Sequence, residues 1–160
     1  MPIKQRITPF LWFDGRAEEA ADLYVSIFPN SQITATTRYG DAGPGPKGRV
    51  MTVGFDLDGQ SFTGLNGGPL FSFNQAMSLV VHCETQAEVD HYWERLSADG
   101  GKTNQCAWLS DKFGVPWQIV PNALVELLQD QDPAKSQRVM QAMLQMTKID
   151  IAKLQAAHRG

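Results

Sequence analysis

The residues able to do chemistry are few and scattered. The three histidines are His82, His91 and His158, and no two have the four-residue helical spacing that puts a pair of imidazoles on one zinc ion. His82 lies in an apolar, strand-like run and reads as a half-buried histidine bonded to backbone. The two cysteines, Cys83 and Cys106, form no CxxC pair and read as free thiols in a reducing compartment. Cys106 could serve as a nucleophile only with a stabilised thiolate, and the sequence fixes no His or Lys beside it. Asp56 and Asp111 read as solvated acids at a strand end or turn. No general base stands out.

Bulk properties exclude several functions. The chain has 160 residues and a net charge of −3, with no basic run longer than two residues. A nucleic-acid surface needs clustered positive charge, so none is expected. No apolar stretch approaches the roughly 18 residues of a membrane span. The basic segment Met1 to Arg6 is not followed by an apolar signal core, so the expected location is cytoplasmic. With 42% hydrophobic and 19% charged residues, the chain can bury a core as one domain without disulfide or metal.

The elements that must position these residues follow from periodicity. Ile7 to Phe13 is apolar and predicts a buried strand. Ala20, Leu23, Tyr24, Ile27 and Phe28 then mark one face of a helix, ended by Pro29-Asn30. Strands are predicted over Gln32 to Tyr39, Val50 to Leu57 and Gln60 to Leu65. A Gly/Pro loop, Gly40 to Gly48, joins the first two, and an Asp58-Gly59 hairpin turn joins the last two. The pattern then restarts. Ala76 to Cys83 is a strand, Thr85 to Glu88 a capping box, and Val89, Tyr92, Trp93 and Leu96 a helical stripe ended by Gly100-Gly101. Short strands follow over Lys102 to Cys106, Trp108 to Lys112 and Val115 to Val120. A shift of 69 residues lays Ala20, Leu23, Tyr24 and Ile27 on Val89, Tyr92, Trp93 and Leu96; two unrelated amphipathic helices could share that spacing, but the strand order repeats as well and points to a duplicated βαβββ module.

The tail is helical. Ala123 to Leu128 is a short apolar helix. Asp132-Pro133 starts a second, expected to run unbroken to about Ala157 with Met140, Leu144, Ile151 and Leu154 as its buried stripe. Val139, Met143 and Met146 widen that stripe into a packing or dimer surface, favoured over a flexible lid.

The order βαβββ-βαβββ resembles the vicinal oxygen chelate (glyoxalase/bleomycin resistance/dioxygenase) superfamily, and within it the PhnB-like group. The residues that carry the resemblance are Thr8 to Asp14 with Ala17 to Ala20, Leu57 to Phe62, Leu65 to Pro69, Trp108 to Pro121, and Lys148 to Ile151. The most specific is Asp111-Lys112-Phe113-Gly114-Val115-Pro116-Trp117-Gln118-Ile119. The implied fold is α+β, with tandem βαβββ modules and a C-terminal helical extension. Residues 1–160 then make one domain: module one about 5–70, module two about 74–121, and C-terminal helices about 122–158. A homodimer is implied as well.

Metal-using relatives in this superfamily carry His or Glu on the first and last strands of each module. Here those strands offer Thr8, Phe10 and Trp12; Phe62 to Leu65; Ala76 to Ser78; and Gln118. An amide oxygen is a poor divalent-ion ligand beside carboxylate or imidazole, so no metal and no cofactor is expected. Members of the PhnB-like group often bear the name of a 3-demethylubiquinone methyltransferase. Such chemistry usually needs a Gly-rich turn between strand and helix, and the glycines here lack that context.

By the resemblance, Gln118 faces a cavity between the modules. Thr8, Phe10, Trp12, Thr63, Cys106 and Trp108 join it as candidate ligand-binding residues around a small molecule. The set is aromatic and mostly neutral, as small-molecule sites tend to be. The expected function is metal-free binding of a small molecule. A metal-dependent isomerase, lyase or dioxygenase-type enzyme is the alternative, and a dimer with a vestigial pocket is a third reading.

Overall fold

The computed structural model describes residues 5–160. The chain forms two compact units, Met1–Phe73 and Asn74–Gly160. Each contains a four-stranded sheet built in the same way.

The first unit comprises β1 (Phe10–Phe13), α1 (Ala17–Ile27), β2 (Gln32–Arg38), β3 (Val50–Leu57) and β4 (Gln60–Asn66), with sheet order β1-β4-β3-β2. The first strand pairs in parallel with the last; the other pairs are antiparallel. Alternation sends Leu11, Phe13, Val53, Phe55 and Phe62 to one face, where they are buried with Ala17, Ala20, Ala21, Tyr24 and Ile27 of α1. Phe55 stacks on Phe62 at 5.5 Å between ring centroids. The β3–β4 turn is the one its sequence predicts. Asp58 and Gly59 both take positive φ, 46° and 85°, as a two-residue turn matching the strand twist requires.

β1 is shorter than expected, beginning at Phe10 rather than Ile7. Pro9 has no N–H to give a ladder, and only its carbonyl takes part, accepting from Thr63 N–H at 3.0 Å. Thr8 therefore lies outside the strand and is exposed.

The second unit repeats the plan with β5 (Leu79–Cys83), α2 (Gln86–Ser97), β6 (Lys102–Thr103), β7 (Trp108–Ser110) and β8 (Pro116–Pro121), order β5-β8-β7-β6. Val81, Cys83, Leu109, Trp117 and Ile119 are buried on one face, and Val89, Trp93 and Leu96 of α2 are buried with them. Thr85 caps α2 by accepting from Glu88 N–H. Glu88 reaches back one residue beyond the cap, accepting from Glu84 N–H at 2.6 Å. Ala76 to Ser78 are not strand; the Asn74 carboxamide accepts from Ala76 N–H and turns the chain there.

Asp111 corrects its sequence reading as a solvated acid. It is buried, and its carboxylate accepts from Phe113 N–H (2.9 Å), Val115 N–H (3.0 Å) and Trp117 Nε1 (2.9 Å). These bonds fold the β7–β8 connection back on itself.

The strand expected over Lys102 to Cys106 stops at Thr103. Trp108 N–H bonds Gln105 O, closing a turn in which Cys106 and Ala107 both take positive φ, 58° and 75°. Left-handed backbone costs a non-glycine residue about 1–2 kcal/mol. Two bonds from the tail hold it there: Cys106 N–H to Met146 O and Ala107 N–H to Thr147 O.

The same bonds break the tail helix. Instead of one helix to Ala157, the tail forms α3 (Asn122–Leu128), α4 (Pro133–Leu144) and α5 (Ile151–Arg159), the last capped by Asp150. Gln86 on α2 donates to Ile149 O and accepts from Ile151 N–H, claiming the backbone groups a continuous helix would use. The buried set becomes Val139, Ile149 and Leu154 with Ala107 and Leu124. Met140 and Leu144, expected inside, are 41% and 49% exposed.

Two outcomes test this packing. Asp111→Ala orphans three donors, each worth about 1 kcal/mol or more when buried, and should lower urea-unfolding stability by about 3 kcal/mol; Asp111→Asn should cost less. Burial, and secondarily the Glu88 carboxylate, push the Cys83 thiol from 9.0 up to about 12. Folding favours the neutral thiol, so this contribution is complete below pH 9.0 and fades as pH rises toward 12. Wild-type stability should fall above pH 9.0 with an added slope of up to about 1.4 kcal/mol per pH unit that Cys83→Ala lacks. Alkylation of the native protein at neutral pH should spare Cys83.

Candidate functional site

In each unit one sheet face lies opposite the face buried with its helix; in the second, Val120 at the end of β8 packs against the tail-helix core. In the first, β1 and β4 pair Phe10 with Thr63 and Trp12 with Leu65, so these four share that face. Phe10 is 59% exposed. Trp12 is half-buried, its ring edge-on to Phe71 with centroids 5.0 Å apart and its Nε1 donating to Gly68 O at 2.8 Å.

In the second unit Gln118 pairs with Val80 on one side and Trp108 on the other. All three lie opposite the face buried with α2. The Gln118 amide donates to Ser78 Oγ at 2.8 Å, which fixes its orientation. His82 pairs with Val120 on that same face and is exposed, not half-buried as its sequence context suggested. Alternation in Val80-Val81-His82-Cys83 was signal enough to place it beside Gln118.

The structure therefore brings the sequence-predicted residues into two sets, Phe10, Trp12 and Thr63 on one sheet and Trp108 and Gln118 on the other. Thr8 sits just before β1. Cys106 stands apart from the strands, in the turn held by the tail, its thiol directed at Met143 O at 3.8 Å.

None of these candidate residues is a carboxylate or an imidazole. Where superfamily relatives place carboxylate or imidazole, this chain has aromatic, hydroxyl and amide groups, and the Gln118 amide nitrogen is committed to Ser78. Among the described residues no three His, Cys, Asp or Glu side chains are grouped to hold one.

A second feature escaped the sequence reading. In the first unit a cleft of about 640 Å³ opens between the β1–α1 turn, the loop of residues 39–49 and the end of β4. Asn66 organises it. Its Oδ1 accepts from Ala17 N–H (2.8 Å), its Nδ2 donates to Glu18 Oε1 (2.6 Å) and Val50 O (3.1 Å), and its carbonyl accepts from Tyr39 Oη (2.6 Å). Arg16, at the cap position of α1, supplies no side-chain cap, so Asn66 does this from a distant strand. The Gly/Pro loop wraps the buried Tyr39 ring so closely that a Cβ on Gly45 would overlap it.

A family model, that of 3-demethylubiquinone-9 3-methyltransferase, matches residues 5–120. The chain belongs to this family. A putative 3-demethylubiquinone-9 3-methyltransferase, PhnB protein, from Bacillus cereus is 39% identical over 73% of this chain and 99% of its own, with a TM-score of 0.66. Two more distant structures share the fold. A genomically encoded fosfomycin resistance protein from Listeria monocytogenes is 17% identical, covering 81% of this chain and 100% of its own with a TM-score of 0.57. A possible glyoxalase from Bacillus cereus is 15% identical, covering 74% and 99% with a TM-score of 0.50. A search of curated proteins gives no match. The fold is thus the glyoxalase, or vicinal oxygen chelate, fold expected from the repeat. The PhnB-type family match takes in the cleft, both uncovered faces and the Asp111 turn, and ends before α3.

Asn66→Ala should cost about 2 kcal/mol, as several half-buried hydrogen bonds go at once. Hydrogen exchange should show faster opening at the first turn of α1 and at residues 39–49, with α2 unchanged.

Proposed function

We propose that this chain is a metal-free small-molecule-binding protein whose ligand contacts come from the uncovered sheet faces: Thr8, Phe10, Trp12 and Thr63 in the first unit, Trp108 and Gln118 in the second. Cys106 then acts on the site only through the turn it occupies. The observation that carries the reading is the make-up of those faces. In the first unit a strand residue as large as Phe10 stays 59% exposed, and in the second Val80 stays 43% exposed beside the Gln118 amide, which Ser78 holds in a single orientation. Apolar area with a few fixed polar groups is what small-molecule recognition uses.

The family's name describes methyl transfer. We read this chain otherwise. The β1–α1 turn has one glycine, Gly15, and Gly67-Gly68 leads out of β4 into no helix, so neither gives the glycine-rich strand-to-helix turn of a nucleotide-derived donor site. We further propose a homodimer located in the cytoplasm. No described helix is long and apolar enough to cross a membrane.

The test is thermal unfolding of chelator-treated protein with Mn, Fe(II), Co, Ni and Zn ions, followed by a metabolite screen. No saturable rise with any ion, and a metabolite whose binding weakens about tenfold in Gln118→Leu, is the expected result. An ion at about 100 times its dissociation constant would add roughly 2.7 kcal/mol. Such a rise, persisting at high salt, would replace this reading with a metal-dependent isomerase, lyase or dioxygenase-type enzyme.

A further inference from the structure

The cleft in the first unit holds four charged side chains that do not neutralise one another. Asp14 and Glu18 come from the β1–α1 turn and the start of α1; Arg38 and Arg49 come from either end of the Gly/Pro loop. Among the described residues no ion pair joins either arginine to either carboxylate, and neither the Asp14 nor the Arg49 side chain has a hydrogen-bond partner. The other two are held by neutral groups: Glu18 accepts from Asn66 Nδ2, and Arg38 donates to Gly48 O at 2.9 Å. Residues of opposite charge lining one concavity, with no ion pair between them, suit a ligand that carries both signs.

The walls are built to stay put. Pro44 and Pro46 restrict the loop backbone. Tyr39 N–H bonds Arg49 O and Gly48 N–H bonds Tyr39 O, at 2.9 and 2.8 Å, closing the loop at its base. On the β4 side, Gly68 O is tied to Trp12 Nε1. The matching connection in the second unit, residues 104–107, is only a tight turn. A rigid wall that needs no induced ordering lowers the entropic cost of binding. The volume of about 640 Å³ lies within the roughly 300–1,000 Å³ usual for small-molecule sites.

We propose that this cleft is a second binding site, for a small zwitterion of amino-acid to dipeptide size. Arg38 and Arg49 take the carboxylate, and Asp14 and Glu18 take the ammonium group. The paired, charge-assisted hydrogen bonds make recognition depend on both ends of the ligand. This site stands apart from the sheet faces proposed above and does not rest on that reading.

The experiment is a titration of the full-length protein, followed by ¹H–¹⁵N correlation spectra, with a panel of free α-amino acids and dipeptides. Each hit is repeated as its N-acetyl form, which keeps only the anion, and its C-terminal amide, which keeps only the cation. The expected result is saturable binding of at least one zwitterion, with shifts centred on residues 14–18, 38–50 and 66–68. Both capped forms should bind at least about tenfold more weakly, or about 1.4 kcal/mol. Arg49→Gln and Asp14→Asn should each lose about tenfold while keeping a native spectrum, and Gln118→Leu should bind unchanged. The proposal fails if no probe saturates below about 10 mM, if the N-acetyl form binds as well as its parent, or if the shifts centre on Phe10 or Gln118.

Discussion

In each unit the first strand pairs in parallel with the last, and the other features follow from that constraint. A parallel neighbour cannot be reached by a hairpin, so the chain crosses one face as a helix before returning through antiparallel strands. One helix covers one face only. The buried sets, Leu11, Phe13, Phe55 and Phe62 in one sheet and Val81, Leu109, Trp117 and Ile119 in the other, occupy the covered side. The alternate residues, Phe10, Trp12 and Thr63 or Trp108 and Gln118, are thereby set on the open side.

Two residues maintain the arrangement at its weak points. Asn66, at the end of β4, replaces the cap that α1 lacks and ties β3 and Tyr39 to the same place. Asp111 holds the β7–β8 connection with three donors. The run from Asp111 to Ile119 is an internal scaffold: the Asp111 carboxylate, two N–H groups of the turn and the Trp117 indole belong to one network. Gln118 lies within that run but on the face opposite Trp117 and Ile119.

The tail shows how tertiary bonding overrides local pattern. Periodicity favoured one helix from Pro133 to Ala157. The backbone at Met146, Thr147, Ile149 and Ile151 is instead spent on the turn at Cys106-Ala107 and on the Gln86 amide. This rotates the buried face from Met140 and Leu144 to Val139, Ile149 and Leu154. The same exchange makes the left-handed pair Cys106-Ala107 tolerable, with neither glycine nor asparagine at either of those two positions to announce it.

The sequence by itself determined the duplicated βαβββ order, the helix-covered faces, the Asp58-Gly59 turn and the Thr85 and Asp132 caps. Each depends on residues within one turn or one strand of each other, where periodicity and local hydrogen bonding suffice. The family resemblance, not periodicity, put Phe10, Trp12 and Gln118 on the open side. Only the tertiary structure decided what depends on partners far along the chain. Those are the cap on α1 from a residue 49 positions away, the burial of Asp111, the break in the tail helix, and the gathering of Asp14, Glu18, Arg38 and Arg49 around one cleft. Charges and amides carry no periodic signature, so their meeting is set by how the strands bring distant loops together.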